Sequence, residues 1–90
     1  MKFEWDKNKA AKNLAKHGVS FDEAKTVFDD PLYVDFYDSH HSDKEARYLI
    51  VGQSNLRRLL IVSYTERRNS IRIISAREVT KSEHEAYEEG

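Results

Sequence analysis

Ninety residues, 39% of them hydrophobic and none of them cysteine, set the first limits. A chain of this length makes one small domain that buries about 60 to 65% of the surface its unfolded form would expose. Without thiols, neither disulfides nor a cysteine zinc site can support the core, which points to a reducing cytoplasm. The net charge of −1 looks unpromising for nucleic acid, and no apolar run approaches the ~18 residues needed to cross a bilayer. The charged N-terminus also lacks the apolar stretch of a signal peptide, so a soluble, unprocessed protein is expected.

Phe3 and Trp5 alternate with charged neighbours as a short strand would. Asp6 offers an N-cap to a helix in which Ala10 with Leu14, and Ala11 with Ala15, recur at helical spacing until Lys16, His17 and Gly18 end it. Ser20 to Glu23 reads as a capping box for a second helix, with Ala24, Val27 and Phe28 on its apolar face and Asp29-Asp30-Pro31 as its stop. The period then changes to two over Leu32 to Tyr37. After a polar loop from Asp38 to Lys44, three β-prone runs, ARYLIVG, RLLIVSYT and IRIISAR, follow with connectors of hairpin length. Thr80 to Glu83 forms a second capping box for a last, polar helix through Ala86 and Tyr87. The expected fold is α+β: an N-terminal short strand and two helices, an antiparallel β-meander and a C-terminal helix, all in one domain over residues 1–90.

The small net charge hides a segregated distribution. Residues 43–77 hold 8 Lys or Arg against 3 Asp or Glu, while residues 1–42 hold 6 against 8 and residues 78–90 hold 1 against 5. All the arginines lie in the middle block, and guanidinium is the side chain best suited to bidentate phosphate contacts. Period two puts Ile71, Ile73, Ser75 and Arg77 on one face of the last strand, with Arg72, Ile74 and Ala76 on the other. Arginine on such a strand must reach the rim, pair with a carboxylate or line an anion-holding cleft. Three acids in the block cannot neutralise eight cations, and a phosphodiester backbone would satisfy the surplus.

Tyr48 and Tyr64 lie on strands where a ring could stack on an unpaired base, although the core is the commoner place for such a tyrosine. Asp38, His40, His41 and Asp43 are the only cluster of metal-ligand type, and adjacent histidines on an extended loop point apart, so no metal site is expected. His17 fits a helix terminus as readily as a proton-transfer role. No glycine-rich phosphate loop and no serine or cysteine nucleophile arrangement is present, so no cofactor is expected.

FEWDKNKAAKNLAKHGVSFDEAKTVFDD, Glu45 and Arg47, LIVSYTERRNSIRIISAR, and the closing Glu83 and Tyr87 together resemble the BrnT family of type II toxins, over essentially the whole chain. The resemblance implies a RelE-like fold with helices on one side of the sheet and the active surface on the other. It also implies a ribonuclease that inhibits translation, paired with a ribbon-helix-helix, BrnA-like antitoxin that covers it and binds operator DNA as part of a hetero-oligomer. By position, Arg47, Arg67 and Arg77, with Glu45 and His17, are the catalytic candidates, and Lys16, Tyr48, Arg68, Arg72 and Tyr87 the RNA-binding ones. Cleavage of this kind uses the substrate's own 2′-hydroxyl and no metal, so the three catalytic arginines are expected to converge on one phosphate while Glu45 or His17 moves a proton. The alternative from a different class is a non-catalytic RNA- or protein-binding module with an arginine-rich sheet surface. The last helix, KSEHEAYEEG, is more acidic than the family pattern and better suited to covering the sheet or meeting a basic partner.

Overall fold

Asp6 opens the first helix as expected. Its carboxylate accepts from the N–H groups of Asn8 and Lys9 at 2.8 and 3.0 Å, satisfying donors that the first turn of α1 (Lys7–His17) leaves without partners. At the other end Gly18 adopts a left-handed conformation (φ 68°) and its N–H donates to the Leu14 carbonyl, with Lys16 and His17 in the last turn. The computed structural model describes the backbone of residues 1–89 and every side chain among them except those of Ala86, Tyr87 and Glu89.

A second helix, α2 (Phe21–Ala24), runs straight into a 3-10 turn over Lys25–Asp29. Only half of its capping box forms. Ser20 Oγ accepts from the Glu23 N–H at 3.0 Å, but the Glu23 carboxylate turns inward to Arg58 and Ser54 instead of back to Ser20. The box at Thr80 closes in both directions, Glu83 N–H to Thr80 Oγ1 and Thr80 N–H to Glu83 Oε1, and starts α3 (Lys81–Glu89).

Five strands make one sheet: β1 (Lys2–Glu4), β2 (Val34–Tyr37), β3 (Tyr48–Gln53), β4 (Leu59–Arg67) and β5 (Ser70–Glu78), in the order β1-β5-β4-β3-β2. The three runs expected to form an antiparallel meander are β3 to β5, and β2 extends it by pairing antiparallel to β3; β1 adds itself parallel to β5, which makes the sheet mixed and leaves β5 one strand from the edge. Val19, Phe21, Ala24 and Val27 from the helical layer pack against Ile50, Leu60, Val62, Tyr64, Ile73 and Ala76 on one face of the sheet, with Trp5 edge-on to Phe21. These side chains form the core, removing the largest apolar surfaces from water.

Two sequence expectations about faces are corrected. In α1 the buried residue is Asn13, while Leu14 stays 51% exposed. The reason is an edge. β1 covers β5 only over Ser70–Arg72, and past that point the Asn13 amide stands in for a missing strand: its Nδ2 donates to the Ala76 carbonyl at 2.8 Å and the Val19 carbonyl at 3.0 Å, and the Ala76 N–H donates to its Oδ1 at 3.1 Å. In β5, Ser75 pairs with Ser63 but Ile73 pairs with Tyr64, so Ile74 is an extra residue without a partner on β4. This β-bulge reverses the alternation halfway along the strand. Ile71 and Ile73 share the helix-covered face with Ala76, and Arg77 lies on the opposite face with Arg72 and Ser75, across from Ile61, Thr65 and Ser63.

Candidate functional site

The uncovered face of the sheet has an apolar middle, built from Phe36, Leu49, Val51 and Ile61 in paired register, with arginines at its two ends. Arg77 pairs with Ile61 and Arg67 with Ser70 on the same β4–β5 ladder. Ile61 and Arg67 are six residues apart, about 20 Å at the rise of a strand. The single hollow expected for Arg47, Arg67 and Arg77 is therefore two hollows.

The first lies where β3 begins and β4 ends. His40, His41, Asp43, Lys44, Glu45 and Arg47 line an open concavity of about 400 Å³. Arg67 grips the Glu45 carboxylate with both Nε and Nη2, at 3.0 and 3.1 Å. That hydrogen-bonded contact, and behind it the charges of Arg72 and Arg47, holds the Glu45 carboxyl below its usual range. Arg72 in turn reaches Glu4 at 3.2 Å, and Ser70 Oγ donates to the same carboxylate. Arg47 has no hydrogen bond or ion pair for its guanidinium among the described residues, although its backbone N–H is tied to Ser42 Oγ at 3.0 Å and its carbonyl accepts from Asp38 N–H. Next to it, Asp38, buried to 10% exposure at its side chain, holds His41 Nδ1 at 2.9 Å. A carboxylate on Nδ1 fixes that nitrogen as the donor and leaves Nε2 available for another partner. One region thus holds the carboxylates of Glu45, Asp43 and Asp38, three arginines, a lysine and an oriented imidazole.

The second hollow, about 190 Å³, lies at the other end of the face, lined by His17, Leu49, Ile61, Ser63, Ser75 and Arg77 among others. Arg77 is held by Glu83 of α3 through Nη1 and Nη2 at 2.9 and 3.0 Å. The Glu83 carboxyl is lowered to about 2 by Arg77 and by the Thr80 N–H.

Among known proteins the match is direct. A family model described as the ribonuclease toxin BrnT of type II toxin-antitoxin systems covers residues 5–83. The chain belongs to the BrnT toxin family. The crystal structure of the ribonuclease toxin BrnT from Brucella abortus superposes with a TM-score of 0.67 at 23% identity, covering 90% of this chain and 99% of that one. Comparison with curated proteins gives no match.

As a BrnT toxin, the chain distributes its sequence candidates unevenly. Arg47, Arg67 and Glu45 come together, and Arg72 joins them. Arg77 and His17 line the second hollow. Tyr48 does not join the arginines: it faces the helix side, stacked on buried Tyr64 at 5.6 Å and edge-on to Tyr37 at 5.8 Å, because its strand position pairs with Tyr64. Tyr64 is core, and burial together with the neighbouring Asp35 carboxylate pushes its phenol well up. Arg68 is exposed in the β4–β5 turn with φ 40°, and Lys16 is exposed on the last turn of α1. The side chain of Tyr87 lies outside the described residues. Sequence reading took Asp38 and His41 only as residues of metal-ligand type and missed their pairing, and it missed the hydroxyls of Ser63 and Ser75, which have no hydrogen-bond partner among the described residues and which only register brings together. Among the described residues, no group of three or more His, Asp or Glu is arranged to hold a metal ion.

Proposed function

We propose that this BrnT toxin cleaves RNA without a metal ion, with the chemistry in the hollow around Glu45 and Arg47. The observation that carries this is the single site's mixture: a carboxylate, an oriented imidazole and a guanidinium without an ion-pair partner among the described residues, all lining one concavity. RNA phosphate enters between Arg47 and Arg67. By competing for Arg67, it loosens the grip on Glu45 and lets the carboxyl rise toward its ordinary value, where it is a better base. Glu45 takes the proton from the 2′-hydroxyl, whose oxygen attacks the adjacent phosphorus. The arginines stabilise the charge on the five-coordinate phosphorane. His41, its ring steadied by Asp38, gives a proton to the departing 5′-oxygen. The bond to that oxygen breaks, leaving a 2′,3′-cyclic phosphate and a 5′-hydroxyl. Arg72 and Arg68 bind flanking backbone at this end, Lys16 binds it at the other, and the strand passes the second hollow beside His17 and Arg77.

The partner fits a ribbon-helix-helix antitoxin in a hetero-oligomer that reaches operator DNA through the antitoxin. A protein partner is supported by β2, an edge strand with Val34, Phe36 and Tyr37 each about half exposed. The cellular reading is inhibition of translation in the cytoplasm.

The test is cleavage of unstructured RNA by the purified protein in chelator, with product ends identified. Wild type should yield cyclic phosphate ends, and Arg47→Ala and Glu45→Gln should each lower the rate by about 10² or more. Arg47 is the better probe because removing it breaks no ion pair that supports the fold. Undiminished cleavage by both variants would reject the assignment; salt-dependent binding with no cleavage by wild type would favour the non-catalytic module.

A further inference from the structure

Ser63 and Ser75 sit directly opposite each other on β4 and β5, on the uncovered face. Cross-strand hydroxyl pairs commonly bond to one another, but neither of these hydroxyls has a hydrogen-bond partner among the described residues. Ser63 is only 9% exposed and lines the second hollow, where its hydroxyl keeps the access that an unpartnered polar atom needs. Leu49 and Ile61 give that hollow an apolar floor, the His17 ring stands at one wall, and Arg77 stands at another with its charge already met by Glu83. Such a lining suits a flat ligand with apolar faces and polar edges better than a phosphate, which would need a cation without a partner.

We propose that this hollow is a base-binding subsite that takes a pyrimidine of the RNA. Size decides the class of base. A closed cavity of about 150 Å³ holds a benzene ring, so this open hollow of about 190 Å³ is filled by one six-membered ring with its exocyclic atoms, and the second ring of a purine would project off the apolar floor into solvent. Hydroxyls donate or accept by rotating, so the pair accommodates the edge of either uracil or cytosine. Arg77, fixed by Glu83, supplies N–H groups toward a ring carbonyl. Ser63 lies four residues from Arg67 along β4, about 13 Å, which places the base within reach of a strand whose phosphate occupies the Glu45 hollow. The proposal rests on the RNA-cleaving reading for its choice of ligand but not for its measurement.

The experiment is an amide-resonance titration of the full chain with uridine, cytidine, adenosine, guanosine and inorganic phosphate. Uridine and cytidine are expected to shift the Ser63, Ser75 and Ile61 amides and to bind at least about tenfold tighter than the purine nucleosides. Ser75→Leu, a change at an exposed position that fills the hollow, should abolish those shifts. In cleavage mapping the same variant should lose a pyrimidine preference at one fixed distance from the cut. Equal binding of purines, shifts from phosphate alone, no shifts from any nucleoside, or unchanged binding by Ser75→Leu would each overturn the subsite. A protein that cuts no RNA yet binds uridine here would refute the proposed chemistry and leave the subsite standing.

Discussion

Asn13→Ala should be the most damaging small change in the helical layer, although it removes only a polar side chain. Three backbone groups depend on that amide: the Ala76 carbonyl at 2.8 Å, the Ala76 N–H at 3.1 Å and the Val19 carbonyl at 3.0 Å. A buried polar group left without its partner costs about 1 to 3 kcal/mol. Water can reach the edge of β5 and carbonyls tolerate a missing partner better than N–H groups, so the expected total is about 2 to 4 kcal/mol. Against a whole-domain stability of roughly 5 to 13 kcal/mol, that is a large fraction. For a chain of this size, it lowers the melting temperature by roughly 10 to 25 °C. Urea unfolding measures the effect as a shift in midpoint with an unchanged slope, and hydrogen exchange should show the Ala76 amide losing its protection. Asn13→Asp retains an acceptor for the Ala76 N–H but turns a carboxylate toward two carbonyls, so it should be no milder. A loss below about 0.5 kcal/mol for Asn13→Ala would refute the idea that the amide substitutes for a strand.

Arg58→Ala should cost about 3 kcal/mol, because it strands the Glu23 carboxylate, 4% exposed, with Ser54 as its remaining partner. The double change Arg58→Met with Glu23→Leu should recover most of that loss in a denaturant titration. Gly52→Ala should destabilise by about 1 to 3 kcal/mol, since the added Cβ would meet Val27 Cγ1 at 3.0 Å, Asp30 Oδ2 at 3.1 Å and Tyr33 Cβ at 3.3 Å, with little room to give. The Glu83 carboxyl, held at about 2 instead of the usual 4.5, contributes stability that is fully present at neutral pH and is lost as pH falls from about 4.5 through 2. With its side chain 38% exposed, the contribution is about 1 kcal/mol. Urea midpoints between pH 7 and pH 3 should fall less steeply for Glu83→Gln than for wild type, and identical profiles would contradict the assignment.

The element pattern was legible because each end carries its own chemistry: Asp6, Gly18, Ser20 and Thr80 all cap where their residue types predict. Charge was only half legible. The surplus of cations in residues 43–77 is real, but most of it is met from outside the block. Glu4 pairs with Arg72, Glu23 and Glu78 with Arg58, and Glu83 with Arg77. Ion pairing is decided by distance in the folded chain, so counting acids within a stretch of sequence overstates how many arginines remain unmatched. Of the three arginines expected to meet one phosphate, the fold leaves Arg47 without an ion pair among the described residues and gives Arg67 and Arg77 carboxylate partners of their own.

The reversal at Ile74 shows most directly why the site could not be read from period alone. Ile73-Ile74 looks like any buried strand, and nothing in two adjacent isoleucines distinguishes a paired residue from an extra one. Strict alternation would turn Arg77 toward the layer that holds Val19 and Phe21, where an unpaired guanidinium would be costly, and would leave Ala76 facing solvent. One inserted residue resolves both conflicts, since Ala76 goes under the helices, where Asn13 ties its backbone, and Arg77 and Ser75 emerge on the open face. The bulge therefore satisfies the core and builds the second hollow in the same step. That coupling explains how a chain with so little apolar material can keep arginine inside its most strand-prone segment: past the bulge, the face that arginine occupies is no longer the face that must be buried.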